Sequence, residues 1–180
     1  MKGIVFTEFL ELVEDTFGLE TVEEIIEKSN LPSKGAYTSI GTYAFSEMLS
    51  LVTHLSEKTN MTIDKLLHVY GLHFFSVIQR DYMSILNTYT DPIEFIASIE
   101  SHIHVEVRKI YPDAELPRFE ITNKKDNALT ITYFSSRSMY AFGLGLMEKA
   151  FEHYGRKASI SYEKIKEDGS EVKFVILENE

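Results

Sequence analysis

Leu129-Thr130-Ile131-Thr132-Tyr133-Phe134-Ser135-Ser136-Arg137 reads as one strand and opens on an apolar–polar alternation. That is the period of a half-buried strand, and it marks where the chain changes character. Just upstream, Leu116-Pro117-Arg118-Phe119-Glu120-Ile121 reads as an edge strand, since proline donates nothing to a ladder. Asn123-Lys124-Lys125-Asp126-Asn127 joins the two. Downstream, a helix is expected over residues 139–154, then strands over 159–165 and 171–177. The turn Glu167-Asp168-Gly169-Ser170 links this last pair, and Asp-Gly between alternating runs is a hairpin signal. Glu178-Asn179-Glu180 reads as a polar tail.

The first two thirds of the chain has the helical period instead. Ile4, Phe6, Phe9, Leu10, Leu12, Val13 and Phe17 recur at spacings of three and four, with Glu8, Glu11, Glu14 and Asp15 between them. Gly18 suits the end of that helix. A short helix over 21–29 is expected from Thr21 and Glu24, which have capping-box spacing. Further helices are expected over 42–55 and 62–78, the second containing Gly71, where a backbone needs to approach closely. Asp91-Pro92 starts a helix expected to run unbroken to Ile110, before Pro112. The fold class is therefore α+β: an N-terminal helical bundle over about 1–112, then a small antiparallel sheet with an inserted helix over about 113–180.

Composition narrows the function. The chain has 180 residues, about one domain's worth, and 44% are apolar. It carries 18 Lys+Arg against 28 Asp+Glu, a net charge of −10. Phosphate neutralisation dominates nucleic-acid affinity, so neither nucleic acid nor an anionic membrane is an expected partner. Cysteine is absent, which excludes disulfides, thiolate nucleophiles, Cys-based metal sites and covalent haem attachment. The N-terminus is too polar for a signal-peptide core, and no apolar run approaches the roughly 18 residues of a span. A soluble cytoplasmic protein is expected.

Two features carry possible chemistry. Of the six histidines, His102 and His104 lie close together, but at about 100° per residue their rings point about 200° apart and cannot chelate one metal. His104 lies on or near the side of Ile93, Ala97, Val107 and Tyr111; from periodicity alone a satisfied core histidine is the simpler account of that setting, and a ligand is the alternative. On the alternating stretch, Tyr133, Ser135 and Arg137 are expected to share a face. A phenol, a hydroxyl and a guanidinium together suit an anion, Arg offering a carboxylate two parallel bonds. Taken alone, a solvated strand face with an ordinary surface Arg is the simpler account. No P-loop, G-x-G-x-x-G or G-x-S-x-G is present, and no carboxylate pair is placed for acid–base work.

Together these residues resemble one family. Tyr133-Phe134-Ser135-Ser136-Arg137 matches the Y-x-S-x-R motif of the haem-nitric oxide/oxygen binding (H-NOX) domains. His104 through Ala114, followed by Leu116-Pro117, resembles the segment bearing their proximal haem ligand, and Met1-Lys2-Gly3-Ile4-Val5 resembles their N-terminus. The resemblance runs the whole chain, residues 1–180. It implies a non-covalent ferrous haem b between the helical and sheet halves. His104 would ligate the iron, Tyr133, Ser135 and Arg137 would bind the propionates, and Pro117 would pack on the porphyrin. Val5, Phe9, Phe74, Ile78, Phe142 and Leu146 would form an apolar pocket wall. Dioxygen-binding members carry a tyrosine where this chain has Phe142, so a nitric oxide sensor that also binds carbon monoxide and discriminates against dioxygen is expected. Tyr140 and His73 are the nearest alternative donors, with Tyr140 expected to face away from Phe142.

No catalysis of its own is expected, and no fused output domain. The signal would pass in trans to a histidine kinase or a cyclic-di-GMP cyclase or phosphodiesterase. The competing reading is a haem-free ligand-binding or adaptor module whose sheet docks an acidic partner through Arg137. A haem enzyme such as a peroxidase is a third, disfavoured because the wall offers no acid–base pair.

Overall fold

Helix α1 (Gly3–Phe17) forms where the three-and-four spacing foretells it, burying Phe6, Phe9 and Val13 and exposing Glu11, Glu14 and Asp15. Glu8 departs from that pattern: it is only 8% exposed. Gly18 stops the helix at φ +85°, its N–H reaching the carbonyl of Glu14. This computed structural model describes residues 1–179. The chain groups into two compact units, Met1–Tyr70 and Gly71–Glu180, divided within a helix. Among the described residues, no helix is long and apolar enough to cross a membrane.

In the first unit, α2 (Leu19–Lys28) begins two residues before the expected start. Thr21 therefore lies inside its first turn, where the hydroxyl donates back to the carbonyl of Phe17 at 3.0 Å. Glu24 pairs with Lys28 and Lys58, so there is no capping box. Helix α3 (Phe45–Thr59) starts later than expected. Thr42 is held in a bridge with Lys2, and the N–H of Tyr43 donates to the carbonyl of Met1. The loop before α3 is anchored by buried Glu47, which accepts from Ser33 and from the hydroxyl of Tyr37. Helix α4 (Ile63–Asp81) is capped by Thr62, whose hydroxyl accepts from the N–H of Lys65. Tyr70 on α4 donates to the carbonyl of Val5 at 2.6 Å.

The second unit contains a short helix that the sequence did not signal, α5 (Met83–Leu86). Four residues are too few to show a period. Helix α6 (Pro92–Ala97) starts as expected, with Asp91 accepting from the N–H groups of Ile93 and Glu94. It does not run on to Ile110. A π-helical turn over Ile99–Ile103 interrupts it, and α7 (His104–Ile110) follows.

Strands β1 (Arg118–Lys125), β2 (Ala128–Phe134), β3 (Lys157–Lys164) and β4 (Glu171–Asn179) form one antiparallel sheet in the order β1-β2-β4-β3. Helix α8 (Tyr140–His153) is inserted between β2 and β3 and packs on β3 and α6. The α+β expectation holds, and β1 is an edge strand. It starts at Arg118, after Pro117, and extends through the residues expected to be loop, leaving only Asp126-Asn127 as the turn. Leu129, Ile131 and Tyr133 of β2 alternate into the core with Val172, Phe174 and Ile176 of β4. The Asp-Gly turn forms, with Gly169 at φ +75°. Glu178 and Asn179 belong to β4 rather than to a tail, while Glu180 lies outside the described residues.

Burial pushes the phenols of Tyr37, Tyr82 and Tyr154 up to about 12. An exposed phenol titrates near about 10, so the folded chain holds these protons longer than the unfolded chain does. The stability they contribute is full below about pH 10 and is lost as pH rises through about 12. Phenolate absorbance of these residues should therefore appear together with unfolding in that window. A folded chain with every tyrosine ionised near pH 10 would contradict this.

Candidate functional site

His104 opens α7 and is 8% exposed. Its backbone N–H reaches the carbonyl of Ile99, five residues back, which is the signature of the π turn. The extra residue rotates α7 relative to α6. Helical spacing therefore does not align His104 with Ile93 and Ala97, as the sequence expectation had it. The His104 ring is hydrogen-bonded from Nδ1 to Oε1 of Glu100 at 3.1 Å. An ionised carboxylate only accepts, so Nδ1 is the donor, and in the neutral ring this leaves the lone pair on Nε2. Burial pushes the imidazole below its ordinary value, and the Glu100 carboxylate opposes that shift. A buried, neutral imidazole with its second nitrogen oriented by a carboxylate is the form that ligates a metal. His102 is engaged otherwise, with Nδ1 2.7 Å from the hydroxyl of Tyr89. Among the described residues, no three His, Asp or Glu side chains are grouped to hold a metal ion.

Tyr133, Ser135 and Arg137 do come together, but not by strand alternation. Strand β2 ends at Phe134, and the chain turns through Ser135-Ser136-Arg137 to Ser138, whose φ is +52°. The N–H of Ser135 donates to the carbonyl of Ser170, the residue before β4. Tyr133 lies on the buried face, 3% exposed, and its hydroxyl accepts from the N–H of Met139 at 2.9 Å. Burial raises its phenol above the ordinary value, against hydrogen bonds to Ser135 and Met139 and the Arg137 charge. The hydroxyl of Ser135 accepts from the backbone N–H of Arg137 at 3.1 Å. The guanidinium of Arg137 holds Glu115 twice, by its carboxylate and by its carbonyl oxygen, the latter at 2.9 Å. Glu115 is a participant that sequence reasoning missed. This turn therefore already accommodates a carboxylate, the chemistry of a propionate. Pro117 lies between Glu115 and the start of β1.

Of the expected wall residues, Phe74 and Phe142 meet with ring centroids 5.5 Å apart. Ile78 and Leu146 are half-buried. Val5 and Phe9 belong to α1 in the first unit, where Phe9 is 1% exposed. Tyr140 turns away as expected, its ring 5.2 Å from Tyr162 on β3 with the ammonium of Lys164 over it. His73 Nε2 is buried with no hydrogen-bond partner among the described residues.

The close approach foreseen at Gly71 is here: a Cβ on it would lie 2.1 Å from the carbonyl oxygen of Phe142. That contact is with backbone, so Gly71→Ala must push α4 and α8 apart. The expected cost is about 1–3 kcal/mol, read as a lowered urea midpoint. An unchanged midpoint would contradict the contact.

The Haem-NO-binding family pattern matches residues 2–162 of the chain. Among solved structures, the Fe(II) unliganded H-NOX protein from K. algicida is 64% identical, with a TM-score of 0.99 over 100% of this chain and 97% of that one. An H-NOX protein from S. oneidensis in the Fe(II)NO ligation state is 25% identical, with a TM-score of 0.91 and all of both chains covered. The IWP-051-bound H-NOX from Shewanella woodyi in the Fe(II)CO state is 36% identical, with a TM-score of 0.81 over 98% of this chain and 94% of that one. Soluble guanylate cyclase 89Db of Drosophila melanogaster is 28% identical over 160 residues, which is 86% of this chain and 24% of that protein. The chain thus spans about a quarter of the length of the curated relatives it matches.

Proposed function

The chain belongs to the Haem-NO-binding family, and on that footing we propose that it is a haem-based nitric oxide sensor that regulates a separate signalling protein. The observation that carries this reading is His104: buried, its imidazole pushed below the ordinary value by that burial, and held at Nδ1 by Glu100, so that Nε2 would be the nitrogen to ligate. Residues 1–180 would act as one haem domain. A ferrous haem b would be held by His104 and would supply an iron able to bind a diatomic gas. Arg137, Ser135 and Tyr133 would hold the propionates, Arg137 exchanging Glu115 for a propionate carboxylate. Pro117 would pack on the porphyrin, and Phe74, Ile78, Phe142 and Leu146 would line the gas side.

Phe142 has no hydroxyl to donate to a polar gas ligand, and the Tyr140 hydroxyl lies on a ring packed against Tyr162. Bound dioxygen would carry partial negative charge and lack that stabilising donor, whereas nitric oxide would need none. Arg137 is only 17% exposed and already holds a carboxylate, that of Glu115, a setting that suits a small bound carboxylate better than the surface of a docking partner. The partner class we propose is a histidine kinase or a cyclic-di-GMP cyclase or phosphodiesterase.

The test is the visible spectrum of the ferrous protein under each gas, beside the activity of the added partner. Nitric oxide and carbon monoxide should each change the spectrum, dioxygen should give no stable complex, and nitric oxide should be the stronger effector. Phe142→Tyr should extend the lifetime of a dioxygen complex. A stable dioxygen complex in the unaltered chain would contradict the selectivity.

A further inference from the structure

We infer that Glu100 is a positioning residue, its single oxygen Oε1 fixing the His104 ring and tying it to the backbone of strand β1. Two donors converge on that atom: His104 Nδ1 at 3.1 Å and the backbone N–H of Phe119 at 2.9 Å. They come from different elements, the first from α7 and the second from β1. Glu100 itself belongs to the π turn, four residues before His104. An ordinary exposed i,i+4 pair on a helix would meet only its helical neighbour. This carboxylate instead accepts a strand amide 19 residues away.

The chemical consequence follows from the donor set. Nδ1–H donated to a carboxylate fixes the tautomer, locks the ring's orientation and makes Nε2 a better electron donor. The structural consequence follows from the register. Phe119 is the β1 partner of Tyr133 on β2, and their rings are 5.5 Å apart. The His104 and Phe119 rings are themselves 6.0 Å apart. Glu100 therefore joins the histidine to the strand pair that carries the first residue of the anion-binding turn. A displacement of the His104 ring pulls on Oε1, and Oε1 is bonded to the Phe119 amide. This role rests on His104 being the iron ligand proposed above.

The experiment uses the full chain loaded with haem. It reads the iron–histidine stretching band of the ferrous protein by resonance Raman and the hydrogen exchange of the Phe119 amide. In Glu100→Leu the band should move to lower frequency, the Phe119 amide should lose protection, and haem loss should quicken by about tenfold, the low end of the usual effect of removing such a partner. In Glu100→Gln the amide oxygen still accepts both bonds, so Phe119 stays protected and the band falls by a smaller amount, reflecting the lost charge alone. A band at the wild-type frequency in Glu100→Leu, with Phe119 exchanging as before, overturns the role. If that variant does not fold, a wild-type frequency in Glu100→Gln together with a deprotected Phe119 amide overturns it. A wild-type protein that binds haem but shows no iron–histidine band, or one whose band survives His104→Gly, removes the His104 reading and this role with it.

Discussion

His104→Gly should abolish axial ligation while leaving the chain folded, and added imidazole should restore the ligated spectrum. The fold should survive because a glycine at His104, inside the helical run that continues from the π turn into α7, costs only about 1 kcal/mol in propensity. The vacated volume is lined by Glu100 and Phe119, which remain to orient a free imidazole through its N–H. His102→Gly is the matched control. It breaks the bond to Tyr89 and leaves Glu100 and His104 untouched, so the spectrum should stay close to that of the wild type. The visible spectrum of each ferrous variant, with and without imidazole, checks this. The reverse pattern, with His102→Gly losing ligation and His104→Gly keeping it, would move the assignment by two residues.

The second large effect is expected at the anion-binding turn. A buried hydrogen bond to a charged group contributes roughly 1.5–3 kcal/mol, and Arg137 offers two. Each 1.4 kcal/mol is about a factor of ten. Arg137→Ala should therefore speed haem loss by about tenfold or more. Adding Ser135→Ala and Tyr133→Phe should speed it further. Tyr133→Phe also strips the N–H of Met139 of its acceptor, which costs about 1–3 kcal/mol if left unsatisfied. Stability must accordingly be measured beside haem retention in that variant. Haem transfer to an excess of a haem-scavenging protein gives the rate. A triple variant that stays folded and loses haem at the wild-type rate would return the turn to a solvated surface.

The sequence and the structure agree most closely where a local rule acts alone. The apolar spacing of α1, the Asp91-Pro92 start of α6, the buried alternation of β2 and the Asp168-Gly169 turn all needed only neighbouring residues. The expectation failed where a distant group intervened. Thr21 and Glu24 have capping-box spacing, yet Gly18 starts the helix and Lys58, far along the chain, takes Glu24. Nothing in Ile99-Glu100-Ser101-His102-Ile103 announces an interrupted helix, because no proline or glycine marks it.

The candidate site divides in the same way. His104, Tyr133, Ser135 and Arg137 were legible through their resemblance to a family motif, not through periodicity. Strand alternation put the last three on one face for the wrong reason, since the turn after Phe134 gathers them. Glu100 and Glu115 were not legible. Each reads as an ordinary polar residue, and their partners Phe119 and Arg137 lie about 20 residues away. The i,i+4 spacing of Glu100 and His104 was the one available signal.

The central claim is that this chain holds a haem by His104, and its most direct test is the colour of the purified chain. Protein expressed with adequate haem, or reconstituted with it afterwards, should bind one haem per chain. In the ferrous state its visible spectrum should be that of a histidine-ligated haem, and His104→Gly should alter it. A colourless chain that takes up no haem on reconstitution, or one whose spectrum is the same with and without His104, would contradict the account.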